Sequence, residues 1–493
     1  MAADIFWRRR GRDELIAWQL ARLREFLSEK VIPFNAFFRE RMANAGVIPE
    51  QVRGFGDLER IPLMSKQDIV PSADEPQRHR RIVLEPSKEA LLAGMSLPRK
   101  LATALRAVTQ SQRVRERLMD EYLPVHLTFT TGRSALATPV IYTKRDMELL
   151  KLAALRLAAL VGIQRGHDTA MNVFPFAPHL AFWQTFFAGM EAGILIVSTG
   201  GGKAMGTNAN LRLLASLQPT MLLGTPGYVY HLAHLAAEAG IGLSRLRTVV
   251  LGAERVNAGY REKLKQSLAL AGAKEVRMLA TYGFTEAKKA WVQSAEDGRY
   301  VLYPDMEIIE VIDPDTGRQV KEGEAGEVVY TMVDGSGSVV LRYRTGDMVR
   351  AGLVYEREPV AGRMAPLLGT DIARVSDIQK VKDTLIDFND LFQMLSGHSA
   401  VREWQLELRK RNDDPCETDE LWLKVALAEG ADTERERRRL NSQLFARYEL
   451  HFDRIICMSR EELTGELKMD ESAKELRIVD RRALPESEGR TAE

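Results

Sequence analysis

Three short segments of this chain carry residue types that can bind a nucleotide, its phosphates and a metal ion. In Thr128–Ser134 (TFTTGRS), hydroxyls, a glycine and an arginine can donate hydrogen bonds to phosphate oxygens. In Thr281–Glu286 (TYGFTE), an aromatic ring can stack on a base and a carboxylate can hold a metal-bound phosphate. Tyr343–Asp347 (YRTGD) ends in an aspartate that can accept hydrogen bonds from ribose hydroxyls.

Each segment alone is also typical of an ordinary turn. The first lacks the GxxxxGK[ST] spacing of a P-loop. Asp347 is expected in a tight turn with Gly346, where an aspartate often satisfies its own backbone. The functional indication comes from the order of the three segments along one chain.

The segments are expected to lie at the ends of strands in an α/β fold. Between residues 127 and 284, short apolar runs stop at small or turn residues, and helical periods follow them. Ligands of such sheets bind beyond the carboxyl ends of the strands. The predicted strands are Ile194–Val197, Met221–Leu223, Thr248–Leu251 and Met278–Ala280.

The chain changes character twice after this region. Residues 307–349 alternate in polarity and predict antiparallel strands at Glu307–Ile312, Glu327–Met332 and Val339–Tyr343. Past Arg363 the sequence is mixed and highly charged, with an arginine-rich helix near 434–448. We therefore predict an α/β protein with a large N-terminal domain of mixed sheets and helices, 1–363, and a small C-terminal α+β domain, 364–493.

Composition excludes several classes of protein. The 69 basic and 68 acidic residues give a net charge of +1, so no global field favours nucleic acid or a membrane surface. No apolar run reaches the roughly 18 residues that span a bilayer, and no apolar segment of a secretory signal follows the basic N-terminus. Two distant cysteines exclude a disulfide scaffold, so a reducing cytoplasm is expected. The basic stretch 78–118 predicts a solvated helical hairpin or, alternatively, a phosphate-binding segment.

Taken together, the three segments and the pair Gly362-Arg363 resemble the acyl-adenylate-forming enzyme superfamily. Within it the chain looks most like the phenylacetate–CoA ligase family, over nearly its whole length but less closely at 76–120 and beyond 364. The resemblance implies that a carboxylic acid attacks ATP to form an acyl-adenylate, and that the thiol of coenzyme A then takes the acyl group. It further implies Mg²⁺, a mobile C-terminal domain and small-molecule partners, and it leaves a homodimer open. Supporting stretches are Phe37–Ile69, Val173–Phe176, Ser198–Gly202, Gly224–Tyr228 and Gly252–Glu254.

The resemblance also implies roles for individual residues. Glu286 would hold Mg²⁺, and a lysine from the closing segment, Lys474 with Lys468 as the fallback, would neutralise charge during adenylation. Lys474, Glu286 and Thr131 are the expected catalytic residues. The expected nucleotide-binding residues are Thr128, Thr130, Thr131, Gly132, Gly252, Ala253, Glu254, Tyr282, Gly283, Thr285, Asp347 and Arg363. The expected lining of the acid pocket is Phe176, His179, Trp183 and Gly224.

Departures from the family pattern leave alternatives open. Phe129 stands where the family has a glycine, and Ser134 where it has a proline. The rival functions are acyl transfer to a protein cysteine, adenylyl transfer that leaves AMP on the product, and a non-catalytic module that binds ATP or an acyl group. The aromatic residues near Trp183 favour an aromatic or apolar acid, whereas Lys288 and Lys289 would instead face an anionic group.

Overall fold

The structure, a computed structural model, describes residues 5–8, 11–87, 121–130, 138–176, 179–254, 256, 258–360, 362–374, 378–382, 384–413, 418–467 and 476–482. Its α-helices are α1 Arg12–Phe26, α2 Ile32–Phe34, α3 Ala36–Asn44, α4 Phe55–Leu58, α5 Lys144–Val161, α6 Leu180–Ala192, α7 Gly201–Met205, α8 Thr207–Leu217, α9 Pro226–Glu238, α10 Ala258–Leu270, α11 Phe388–Gly397, α12 Thr433–Tyr448 and α13 Arg460–Glu466. Its strands are β1 Pro124–Phe129, β2 Pro139–Thr143, β3 Thr169–Asn172, β4 Leu195–Ser198, β5 Met221–Gly224, β6 Thr248–Leu251, β7 Arg277–Phe284, β8 Lys289–Val292, β9 Tyr300–Val301, β10 Glu307–Ile312, β11 Gly326–Met332, β12 Tyr343–Val349, β13 Leu353–Arg357, β14 Met364–Leu368, β15 Ile372–Arg374, β16 Ile378–Val381, β17 Thr384–Asp387, β18 Val401–Lys410, β19 Asp419–Leu427, β20 Arg454–Cys457 and β21 Ile478–Asp480. This mixture of helices and sheets confirms the predicted α/β class.

A six-stranded sheet in the order β4-β3-β5-β6-β7-β8 forms the centre of the N-terminal part. The first five strands are parallel and β8 pairs antiparallel with β7. The four predicted parallel strands are confirmed within one or two residues, except that β7 continues to Phe284. Because β5 and β6 are buried throughout, their sequences are continuous apolar runs, as expected of a sheet covered on both faces.

The antiparallel sheet β10-β11-β12-β15 lies next along the chain. Two of its predicted strands are confirmed, but the third is displaced: the strand is Tyr343–Val349 and not Val339–Tyr343. The YRTGD segment is therefore part of a strand. Gly346 has φ +72°, and the register between β11 and β12 shifts at this point, which is the signature of a β-bulge. The expected tight turn is thus corrected to a bulge.

The C-terminal part has its own core. Strands β20-β19-β18-β21 form a four-stranded sheet, and the arginine-rich helix is confirmed as α12. One buried apolar cluster runs from Val381 to Phe452, whereas the large N-terminal cluster ends at Leu368. Strand β14 pairs with β13 and β9, and β15 pairs with β12, so residues 364–374 belong by pairing to the N-terminal part. The expected boundary at 363 lies inside the β13–β14 hairpin.

The segment Glu59–Met64, which follows α4, holds the start of the YRTGD strand. Arg342 is 2% exposed, pairs with Glu310 at 3.1 Å, and donates to the carbonyls of Glu59 and Ile61. Its neighbour Arg344 donates its backbone N–H to the Met64 carbonyl at 2.8 Å. Most of the basic stretch 78–118 lies outside the described residues, which include a short 3₁₀ turn at Arg78–Ile82. Within the described ranges, no helix combines the length and the apolar character that a bilayer crossing requires.

Candidate functional site

The residue that follows β6 packs closely against β7, and the end of β7 packs closely against β8. A Cβ added at Gly252 would lie 2.3 Å from Thr281 Oγ1 and 3.4 Å from the ring of Phe174. A Cβ at Gly283 would lie 2.6 Å from the Cβ of Ala290 on β8. Glycine is therefore required at both positions, and the two strand ends form one surface of glycine backbone and threonine hydroxyl.

Glu286 lies in a 3₁₀ turn, Thr285–Ala287, directly after β7. Its side chain is 6% exposed, and its Oε1 accepts a hydrogen bond from the Tyr343 hydroxyl at 2.7 Å. Burial raises the pKa of this carboxyl above its ordinary value. Within the part of the chain that the structure describes, Glu286 forms no ion pair. A buried carboxylate that forms no ion pair among the described residues suits a hard divalent cation such as Mg²⁺.

Asp347 is held close to Glu286 by two aromatic residues. Its Oδ2 accepts from the Tyr282 hydroxyl at 2.8 Å, while Tyr343, four residues earlier on the same strand, donates to Glu286. Tyr282 stacks against Trp291 across the β7–β8 pair, with ring centroids 5.7 Å apart. The second and third predicted segments therefore meet through two tyrosine–carboxylate hydrogen bonds.

The cation beside Asp347 is Arg374, which the sequence reasoning missed. Its Nε donates to Asp347 Oδ1 at 3.2 Å, and half of its side chain is exposed. Strand β15 brings it there, because Asp347 and Arg374 are direct partners in the antiparallel register. Arg363 instead closes the β13–β14 hairpin, where its carbonyl accepts from the Glu358 N–H at 3.0 Å. No sequence signal separated the two arginines, because only the strand pairing relates Arg374 to Asp347.

The predicted phosphate-binding segment is described only in part. Thr128 and Phe129 end β1, and Thr130 pairs with Thr138 through their backbones at 3.1 Å. The Thr285 hydroxyl donates to the Phe129 carbonyl at 3.4 Å, so this hairpin adjoins the turn that carries Glu286. Thr131 and Gly132 lie outside the described residues, as do Lys474 and Lys468. Their roles stay predictions.

Ala253 and Glu254 follow β6 at the border with the C-terminal part. Ala253 has a left-handed backbone, with φ +68°. Glu254 lines a narrow cleft between α9 and α10 on one side and β18 on the other. In the same cleft Lys263 donates to the Val401 carbonyl at 2.7 Å, and burial lowers the pKa of Lys263 to about 8. Glu254 is therefore close to the contact between the two parts of the chain.

An aromatic cluster lies beside these strand ends. The ring centroids of Phe176 and Phe182 are 5.1 Å apart, and those of Phe182 and Trp183 are 5.3 Å apart. Both pairs pack edge to face. The ring centroid of His126 on β1 lies 4.7 Å from that of Trp183. Burial lowers the pKa of His126, so the imidazole is a neutral aromatic ring near pH 7. Phe176 is 48% exposed, as the edge of an open site would be. The sequence reasoning missed His126 because β1 is distant from α6 in the chain.

The remaining predicted pocket residues flank the cluster. His179 directly precedes α6. A Cβ at Gly224 would lie 2.5 Å from Val173 Cγ2, so this glycine is required for the packing of β5 against β3. A Cβ at Gly200 would lie 2.3 Å from the Phe176 ring, which rests on the Ser198–Gly202 run.

The two lysines after Glu286 do not face a substrate. Lys288 is 4% exposed and pairs with Asp146 at 2.9 Å. Lys289 is equally buried, pairs with Glu307 at 3.2 Å, and donates to the Tyr330 hydroxyl at 2.6 Å. The alternative that they face an anionic acid is wrong, because the protein's own buried carboxylates neutralise both ammonium groups.

The comparison with protein families agrees with this geometry. The family model described as "AMP-binding enzyme" matches residues 66–338, which is more than half of the 493 residues. The chain belongs to this family, and the resemblance to the adenylate-forming superfamily is confirmed. Its curated relatives include the phenylacetate-coenzyme A ligase of Thermus thermophilus, 26% identical over 85% of this chain and 82% of the relative. The phenylacetate-coenzyme A ligase of Escherichia coli is 24% identical over 85% of this chain and 84% of the relative.

A solved structure shares the fold over almost the whole chain. It is the crystal structure of a 2-hydroxyisobutyryl-CoA ligase in the postadenylation state, in complex with 2-HIB-AMP. The TM-score is 0.74 at 18% identity, over 97% of this chain and 92% of that one. At this identity the similarity establishes the fold alone.

Proposed function

We propose that this protein activates a carboxylic acid with ATP to an acyl-adenylate and then transfers the acyl group to the thiol of coenzyme A. The observation that carries the proposal is the meeting of three distant segments of an AMP-binding enzyme. The Thr285 hydroxyl contacts the Phe129 carbonyl, Tyr343 donates to Glu286, and Tyr282 donates to Asp347. Relatives named phenylacetate-coenzyme A ligases support the acid–thiol ligase class.

Each part of the site would act by binding and charge neutralisation. Thr130, Thr131 and Gly132 would bind the phosphates, and Gly252 and Ala253 would line the adenine pocket beside Tyr282. The phosphate contact expected of Thr128 is corrected, because this residue is buried and its hydroxyl donates to Tyr142. Asp347 and Arg374 would bind the ribose, so we assign to Arg374 the role that was expected of Arg363. No covalent intermediate with the protein is needed, since positioning and electrostatic stabilisation supply the catalysis.

Glu286 would hold Mg²⁺, which would offset the negative charge of the phosphates. Its burial, its hydrogen bond from Tyr343 and its lack of an ion-pair partner among the described residues support this role. Tyr343 would fix one carboxylate oxygen and leave the other for the metal.

We propose that the domain boundary follows Arg374 and that the C-terminal domain moves between the two half-reactions. The separate cores and the pairing of β14 and β15 support this boundary. Lys474 would then reach the site from the mobile domain during adenylation and leave it before thiol attack.

The aromatic cluster favours an aryl or other apolar acid. Phe176, Trp183 and the neutral His126 offer ring edges and faces to such an acid. A pyrophosphate-release screen with aryl, fatty and dicarboxylic acids tests this. The expected result is strong release with aryl or apolar acids only. Release with no acid, while the protein binds ATP, would contradict the proposal and favour a non-catalytic homologue.

The assignment of the ribose contact to Arg374, and not to Arg363, gives a specific prediction. Arg374→Ala should raise the KM for ATP by about 10-fold, because a charge-assisted hydrogen bond to Asp347 and a ribose contact are both lost. Arg363→Ala is the matched control, and its KM for ATP should change less than about twofold. Steady-state pyrophosphate assays measure both values. A larger rise in the KM for ATP in Arg363→Ala than in Arg374→Ala would assign the ribose contact to Arg363.

A further inference from the structure

A buried ion pair adjoins the turn that carries Glu286. Lys288 ends the turn that carries Glu286 and has a left-handed backbone, with φ +59°. Its side chain crosses to α5, where its Nζ lies 2.9 Å from Asp146 Oδ2, and both side chains are almost fully buried. A left-handed lysine whose ammonium is buried is unfavourable in isolation, so the surrounding structure must fix it.

Asp146 is itself held rigidly. Its Oδ2 accepts from the Thr143 N–H at 2.9 Å and from the Gly337 N–H at 2.9 Å, and it closes the capping box of α5. A Cβ at Gly337 would lie 2.7 Å from the same oxygen, so the backbone approaches the carboxylate as closely as glycine allows. The partner of Lys288 is therefore fixed by two separate parts of the backbone.

The same ammonium connects to the phosphate-binding hairpin. Lys288 Nζ lies 5.2 Å from the ring centroid of Tyr142, a fully buried residue of β2. The Tyr142 hydroxyl accepts a hydrogen bond from Thr128 Oγ1 at 3.3 Å. One buried link thus runs from the Glu286 turn through Lys288. It continues through Asp146 to the end of β2 at Thr143, and through Tyr142 to β1, the strand that ends in the predicted phosphate-binding segment.

From this geometry we infer that Lys288, Asp146 and Tyr142 are positioning residues for adenylation. They set the distance between the Glu286 carboxylate and the strand end at Thr130, so that one Mg²⁺–ATP complex can bind both. None of the three is assigned contact with a reacting atom. The inference rests on the proposed function, since it assigns the link to that site.

The test separates an effect on Mg²⁺–ATP binding from the loss of stability that an unpaired buried charge causes. Lys288→Met and Asp146→Asn each leave one buried charge uncompensated, so each should lower the melting temperature. The double variant removes both charges and should recover most of the melting temperature. Binding of a non-hydrolysable ATP analogue is then measured by calorimetry with and without Mg²⁺. The Mg²⁺ gain is the ratio of the affinities for the analogue with and without Mg²⁺. This gain should fall by about tenfold in the double variant, because the loss of groups that orient a metal ligand typically weakens metal binding by that much.

Arg156 and Asp305 provide a matched control, a buried pair at 2.6 Å that is not connected to Glu286. Arg156→Met/Asp305→Asn should leave the Mg²⁺ gain unchanged. Tyr142→Phe tests the other branch without altering a charge, and should weaken binding of the Mg²⁺ complex severalfold in a folded protein. If the charge variants do not fold, Tyr142→Phe alone tests whether these residues position the site.

The outcomes distinguish this inference from the proposed function. If the unmodified protein shows no gain from Mg²⁺, the metal role of Glu286 fails, and the inference fails with it. If the unmodified protein shows the gain, and either the double variant or Tyr142→Phe retains it in full, the inference alone is overturned. A double variant that loses the gain while its melting temperature recovers is the expected result.

Discussion

Replacing Glu286 by glutamine is expected to slow acid-dependent pyrophosphate release by at least about 100-fold, because metal stabilisation of phosphoryl charge is on the order of several kcal/mol. The substitution keeps the shape of the side chain and a carbonyl oxygen that can accept from Tyr343 at the observed position. It removes only the negative charge. The fold should survive, since the uncharged form of a buried group is the one that burial favours.

Tyr343→Phe is the control for this prediction. It removes the hydrogen bond to Glu286 but keeps the carboxylate charge, and it should cost less than about 10-fold in the same assay. Rates measured over a range of Mg²⁺ concentrations would show whether the glutamine variant requires more metal. A folded Glu286→Gln protein with the unmodified rate would remove this residue from the site.

Asp347→Ala is expected to raise the KM for ATP by roughly 10- to 150-fold, since hydrogen bonds to a charged group contribute about 1.5–3 kcal/mol. The KM for the acid should change little, because the proposed partners of Asp347 are the ribose hydroxyls. Its carboxylate is 4% exposed and already accepts from Tyr282 and Arg374. Its loss therefore also releases two donors from their positions.

Tyr282→Phe serves as the control, because it keeps the ring on Trp291 and removes only the hydroxyl that donates to Asp347. It should raise the KM for ATP by less than about 10-fold. The two KM values of each variant, for ATP and for the acid, are measured by pyrophosphate release. Equal losses for ATP and acid in the Asp347 variant would contradict a ribose contact.

The sequence predicted well those elements whose physical cause is local. Buried parallel strands are continuous apolar runs that stop at turn residues, and β5 and β6 follow that pattern. The third antiparallel strand was misplaced because Val339–Leu341 is an apolar run that is buried without forming a regular strand. The actual strand begins with the polar YRTGD residues and is interrupted by the bulge at Gly346.

The site was predicted in part for the same reason. Glu286, Tyr282 and Asp347 follow motifs that are contiguous in sequence, and the structure brings them together through tyrosine hydroxyls. Arg374 reaches Asp347 only through the β12–β15 register, which no local pattern encodes. Lys288 and Lys289 were considered as residues that face an anionic group, because their partners Asp146 and Glu307 are distant in sequence.

The most direct test of the two-step reaction is to look for its intermediate. The protein is incubated in stoichiometric amount with ATP, Mg²⁺ and an acid from the screen, without coenzyme A, and the products are identified by mass spectrometry. The account predicts one acyl-adenylate and one pyrophosphate for each active protein, and complete conversion to acyl-CoA and AMP when coenzyme A is added. An acyl group attached to a protein cysteine, AMP that remains on the product after coenzyme A is added, or release of ADP and phosphate would contradict it.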